Sequence, residues 1–212
     1  MRRGQIIGLT GLACAAAGYV FLGRTRQLHW GATDQECKAV LPGEDRSANA
    51  DLTATRAVTV RAAADEVWPW IAQLGQGRGG FYSYDFLENL IGCEIHSADR
   101  VRAEWQDVAV GDQVGLAPGV ALVVSTAEPG RALVLRGGIP LGESAPPYEF
   151  TWTFSLCEQP DGNTRLIVRE RYEYLRSWSW LLVEPVEAVS FVMTQKMLRG
   201  IRDRAENLAD PR

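Results

Sequence analysis

The stretch EFTWTFSLCEQPDGNTRLIVRERYEY, residues 149–174, reads as two strands and the turn that joins them. Trp152, Phe154 and Leu156 alternate with Thr151, Thr153 and Ser155, the period of two that sends every second side chain of a strand to one face. Pro160-Asp161-Gly162-Asn163 is turn chemistry, because proline presets φ, aspartate and asparagine bond locally, and glycine accepts left-handed backbone. Beyond the turn, Leu166, Val168, Glu170, Tyr172 and Tyr174 share one face. Arg165, Ile167, Arg169, Arg171 and Glu173 share the other, which their charges mark as the solvated side.

Downstream of this hairpin, Pro185 is placed to open a long helix in which Val186, Val189, Met193, Met197, Ile201 and Leu208 recur at helical intervals. Upstream, further strands are expected at 113–116, 120–127 and 132–136, with Glu128-Pro129-Gly130 as a turn. Before them come a short half-buried strand at 55–61 and a helix carrying Val67, Trp68, Ile71 and Leu74, capped by Asp65 and tolerating Pro69 near its first turn. A second short helix is expected at 84–91. This order predicts an α+β fold: a curved antiparallel sheet whose apolar face is covered by the C-terminal helix, the only element long enough to lie across it. A sheet that curls round a helix without closing on it leaves room for a cavity.

Gly75, Gly77 and Gly80 satisfy GxGxxG literally, but a helical pattern precedes them and no strand runs into them, so a dinucleotide site is rejected and no cofactor is expected. Arg78, Phe81, Tyr82, Tyr84, Asp85, Glu88, Asn89 and His96 concentrate polar and aromatic groups within a short stretch. They suit a binding rim, or equally a packed turn in which Asp85 caps a helix and Arg78 pairs with a carboxylate. His96 has no nucleophile at a sequence distance that identifies a partner. Glu170, on the apolar face of its strand, needs a partner, since an unpaired buried carboxylate is costly. That partner is an arginine such as Arg136 in an ion pair, or a ligand if Glu170 acts as an anchor or a general acid/base. Trp152, Phe154, Tyr172, Met193 and Met197 are core residues that would also line an apolar pocket.

The chain of 212 residues, 46% apolar and 23% charged with a net charge of −4, has room for one domain and an appendage. Its 22 basic residues are scattered, which gives no footprint for nucleic acid. Four cysteines without a CxxC pair, and two histidines, supply no metal-ligand spacing and no disulfide framework. Residues 6–22 carry no charge and lie between Arg2, Arg3 and Arg24, Arg26. Such a run, about 25 Å long as a helix, is long enough for one membrane span. Residues 1–23 are therefore expected as a transmembrane anchor at the cell membrane, with a cleaved signal peptide and secretion as the alternative. The flanking arginines balance and set no orientation. Residues 24–52, with Pro42, Gly43, Asp45 and Ser47, read as a linker, and 53–208 as the folded body.

TRAVTVRAAADEVWPWIAQLGQGRGGFYSYDFLENLIG (55–92), EIHSADRVRAEWQDVAVGD (94–112) and WGATDQE (30–36) resemble the START-like, Bet v 1-like superfamily, also labelled SRPBCC or polyketide cyclase/dehydrase, and within it a bacterial subgroup with an apolar N-terminus. The resemblance implies the helix-grip fold with an internal apolar cavity, but no catalytic residue is uniform across the superfamily and fold does not dictate activity. The leading expectation is a membrane-anchored protein that binds a small hydrophobic molecule (lipid, polyketide or aromatic). Arg78, Phe81, Tyr82, Trp152, Phe154, Glu170, Tyr172, Met193 and Met197 would contact it. The alternatives are a cyclase/dehydrase-type enzyme using Glu170 or His96 as acid/base, and a tethered interaction domain whose cavity is filled by its own side chains.

Overall fold

The computed structural model describes residues 23–44, 49–90, 92–138 and 145–209, with residues 208 and 209 in backbone only. The expected membrane run 6–22, Cys14 and the side chain of Leu208 lie outside the described residues. Among the described residues no helix is long and apolar enough to cross a membrane.

The fold is α+β. Six antiparallel strands, β1 (Leu52–Val60), β2 (Gln113–Ala117), β3 (Val120–Glu128), β4 (Ala132–Gly137), β5 (Tyr148–Glu158) and β6 (Thr164–Tyr174), form one curved sheet in the order β1-β6-β5-β4-β3-β2. Consecutive strands from β2 to β6 are neighbours, as short turns demand, and only β1 reaches its partner by way of the whole intervening chain. The hairpin read from 149–174 is β5 and β6, in register from Tyr148 opposite Tyr174 to Glu158 opposite Thr164.

Residues 23–28 are helical, and the other α-helices are α1 (Asp34–Lys38), α2 (Ala64–Ala72), α3 (Asp85–Leu90) and α4 (Trp180–Ala209). α1 is closed by a capping box in which Thr33 Oγ1 accepts from the Glu36 amide and Glu36 accepts from the Thr33 amide. α2 starts without the expected Asp65 cap: its first turn is held by Glu66, which accepts from the Ala63 amide at 2.9 Å. Pro69 lies inside α2 rather than in its first turn, and the helix ends at Ala72. Likewise α4 begins at Trp180, so Pro185 sits within it instead of opening it. The helix bond that Pro185 cannot donate would have gone to the carbonyl of Leu181, an exposed residue.

α4 has 30 residues, about 45 Å of helix, and it packs on β1, β6 and α2. The main core lies where its C-terminal half meets α2 and the sheet, with Trp70, Ile71 and Leu74 against Met197, Leu198 and Ile201. Gly200 permits this approach, since a Cβ there would stand 2.4 Å from the Tyr82 carbonyl oxygen.

Two expectations are corrected here. The outer face of β6 is not solvated, because the segment expected as a linker packs across it. Arg169 is 3% exposed and donates to the Glu44 carboxylate, to the carbonyls of Ala39 and Cys37, and to Thr55 Oγ1. Arg165 pairs with Glu36 at 2.6 Å, and Leu41 packs on Ala57 and Ile167. The Ala57 amide donates to the Trp30 carbonyl. Polar composition suggested a linker, but these polar groups are the partners of the arginines on the outer face.

Candidate functional site

A cavity of about 250 Å³ lies between the inner face of the sheet and the middle of α4. From the sheet come Phe150, Trp152, Glu170, Tyr172, Leu116 and Leu122. The register explains this grouping: Trp152 stands opposite Glu170 and Phe150 opposite Tyr172, so alternation places all four on the same face. From α4 come Val186, Val189, Ser190, Met193, Thr194 and Met197, which are spaced three and four apart as one helix face requires. Phe81, Ser83 and Glu88 close the third side from α3 and the loop before it.

The aromatic wall is continuous. Phe150 stacks at 4.8 Å on Tyr172 and 6.3 Å on Trp152, and Trp152 lies 6.1 Å from Phe81 and 4.9 Å from Phe154. These tilted arrangements suit ring quadrupoles and hold the wall rigid.

A polar cluster on β6 and α4 interrupts the apolar surface. Glu170 Oε1 accepts from Arg56 Nη1 at 3.0 Å, from Ser190 Oγ at 2.7 Å and from Thr194 Oγ1 at 2.9 Å. Its Oε2 accepts from the Tyr172 hydroxyl at 3.2 Å. Arg56 also donates to Glu187, and Glu187 is held in turn by Arg24 and Gln27. Arg56, Glu170 and Glu187 are each about 99% buried or more, and with Arg24 the four charges sum to zero, the condition for keeping ions in a medium of low dielectric. Burial, with the Glu170 charge beside it, raises the Tyr172 phenol well above its ordinary pKa, so it stays a donor.

Glu170 therefore has the ion-pair partner that its position demanded, but the arginine is Arg56 of β1 rather than Arg136. Strand β1 was expected as half-buried, and Arg56, 1% exposed, sits on its inward face. The one local signal for Arg56 was its position two residues from Val58 and four from Val60, on the same strand face.

Glu88 is a second carboxyl at the cavity. Burial pushes its pKa up, nearby Asp85 adds to the rise, and the Ser83 hydroxyl that donates to it opposes the rise.

The structure brings Phe81, Trp152, Glu170, Tyr172, Met193 and Met197 together round the cavity, and it places the remaining candidates elsewhere. Arg78 donates to the carbonyls of Ala72 and Trp105, at 3.1 and 2.6 Å, and so ties the glycine loop to the chain behind it. Tyr82 is 1% exposed, packs edge-on to Trp70 and shares a hydrogen bond with Gln73. Phe154 is fully buried behind Trp152. His96 is exposed and is not among the residues lining the cavity. The glycine run is a tight loop closed by a bridge between Gly75 and Gly80, and the aromatic and polar residues after it divide between core and cavity.

No family model and no curated protein matches the chain. Its fold is similar to those of several solved structures. A hypothetical protein, jhp0584, from Helicobacter pylori is 11% identical, with a TM-score of 0.49, covering 78% of this chain and 95% of that one. CalU16 from Micromonospora echinospora is 17% identical, with a TM-score of 0.35 and coverage of 74% and 85%. DynU16, described as a putative protein in the dynemicin biosynthetic locus, is 20% identical, with a TM-score of 0.40 and coverage of 70% and 46%. At these identities the likeness concerns the fold and carries no argument about activity.

Proposed function

We propose that this protein binds a small, mostly apolar molecule in the cavity between the sheet and α4, as a START-like, SRPBCC-type binding protein tethered to a membrane by residues 6–22. The observation that supports the reading is the buried polar cluster of Glu170 with Tyr172, Ser190 and Thr194, set in a wall of aromatic rings and thioethers. A pocket of this kind takes an apolar body by burial and orients it by one hydrogen-bonding group. The volume, at the small end of ligand pockets, favours one or two fused rings over a long acyl chain.

The same geometry speaks for binding over proton transfer. Three donors hold Glu170 Oε1 and a fourth holds Oε2, so the protein's own groups fix the carboxylate in place. A general base must accept the substrate's proton directly, and four donors already engage this carboxylate.

The test is native mass spectrometry of the full chain released from detergent, followed by extraction and identification of any copurifying small molecule. A retained aromatic or polyketide-like compound, exchanged without chemical change and held more weakly by Glu170→Gln, is the expected result. A compound converted by the wild type and left intact by Glu170→Gln would overturn the binding reading in favour of catalysis.

A further inference from the structure

The outer face of α4 carries a run of exposed apolar side chains that folding leaves uncovered. Leu181 is 55% exposed, Val189 65% and Val192 47%, and they fall on one side of the helix. Trp178 and Trp180, 44% and 51% exposed, stand where the helix begins. Across the cavity, Phe86 and Leu90 of α3 are 69% and 81% exposed. Val186 and Val189 line the cavity and are themselves exposed, so the cavity opens on this apolar face, and Glu88 places α3 on its other side. Isolated exposed apolar residues are unremarkable, whereas a patch of this kind around an opening marks a contact surface.

The chain itself indicates what meets that surface. The uncharged run 6–22 leads directly into Gly23, and Arg24, next in line, pairs with Glu184 and Glu187 of α4. Its point of attachment is therefore the same stretch of helix that carries the exposed residues. Arg26 and Lys196, both exposed, add cations beside it, and tryptophan is the side chain that settles best at a membrane–water boundary. We infer that the outer face of α4, with the exposed residues of α3, docks on the bilayer and turns the cavity opening toward the lipid. An apolar molecule then passes between membrane and cavity without crossing water. This docking is separate from what the cavity holds, and it can fail while ligand binding stands.

The experiment reconstitutes the full chain in vesicles of phosphatidylcholine and phosphatidylglycerol with brominated acyl chains and reads tryptophan emission. Bromine quenches only rings that reach the acyl region. The expected result is quenching of the wild type, most of it lost when Trp178 and Trp180 are both replaced by Phe. A Leu181→Asp, Val192→Asp, Leu90→Asp variant, which alters no cavity-lining residue, should lose the quenching while retaining its copurifying molecule and its circular dichroism. Absence of quenching in the wild type, or quenching equally strong in the double Phe variant, overturns the proposal. So does efficient cross-linking between copies through Val192→Cys in the vesicles, which would assign the face to a second copy of this chain.

Discussion

Arg56 Nη1 lies 3.0 Å from Glu170 Oε1 although the strand register sets Ala54, not Arg56, opposite Glu170. The ion pair thus crosses the β1–β6 ladder diagonally, and the second guanidinium nitrogen remains free to reach Glu187 on α4. One arginine joins sheet and helix at the cavity wall.

Removing that arginine leaves buried Glu170 without its cation, while Glu187 keeps Arg24. Arg56→Met should lower stability by about 3–5 kcal/mol, the usual penalty for breaking a buried pair. Restoring neutrality with Glu170→Gln in the same chain should recover a large part of the loss. Denaturant unfolding of the wild type and the two variants in a common detergent measures both effects, and no recovery in the double variant would mean that packing of Arg56 on Phe191, 5.4 Å from its ring centroid, matters more than charge.

Glu88 gives stability a pH dependence of definite sign. Burial raises its folded-state pKa above the unfolded value, so the folded state binds the proton more tightly than the unfolded chain. The associated stability is fully present below the unfolded pKa and is lost as pH rises through the folded one. Glu88→Gln, neutral throughout, should gain on the wild type as pH goes from acid to neutral, which unfolding curves at a series of pH values will show; a constant difference would refute it.

At Gly200, alanine would drive a methyl group into the Tyr82 carbonyl oxygen, a backbone atom that cannot rotate away. Overpacking of this kind costs about 1–3 kcal/mol. Because Tyr82 has a positive φ of 57°, the loop before α3 has little slack, and the thermal midpoint of Gly200→Ala should fall. An unchanged midpoint would show that the loop yields freely.

The segment before β1 is a structural element. Arg169→Met removes the donors that hold the Glu44 carboxylate and the carbonyls of Ala39 and Cys37. A loss of about 3 kcal/mol follows from leaving such a buried pair broken. Residues 31–44 should at the same time become cleavable by a protease under native conditions. Resistance equal to the wild type would contradict this account.

Filling the cavity tests its use. Met193→Trp adds ring volume at a half-buried lining position and should expel a bound molecule while leaving secondary structure unchanged. Native mass spectrometry of the variant should show the bare chain; a bound mass equal to that of the wild type would move the binding site elsewhere.

The strands of the C-terminal half could be read from the chain almost residue by residue, as could the inward direction of Trp152, Glu170 and Tyr172, because alternation is a local property and the hairpin turn sets the register. The start of α4 was misplaced by taking Pro185 as a boundary, since a helix end depends on what its first carbonyls meet. Arg78, Tyr82 and Phe154 looked like site residues by composition alone, and composition does not say which of several aromatic or cationic groups folding will seal behind others.

Patterning along the chain settled that there is a sheet, that one long helix covers it, and that Glu170 faces inward and must be neutralised. Tertiary structure alone decided that Arg56 neutralises it, that residues 30–44 cover the opposite face, and that the cavity opens beside α3. Those three facts are pairings between segments far apart in the chain, such as Arg56 with Glu170 and Arg169 with Glu44. Hydrophobic period reports the face on which a side chain lies, but long-range pairing depends on which surfaces meet once the chain closes.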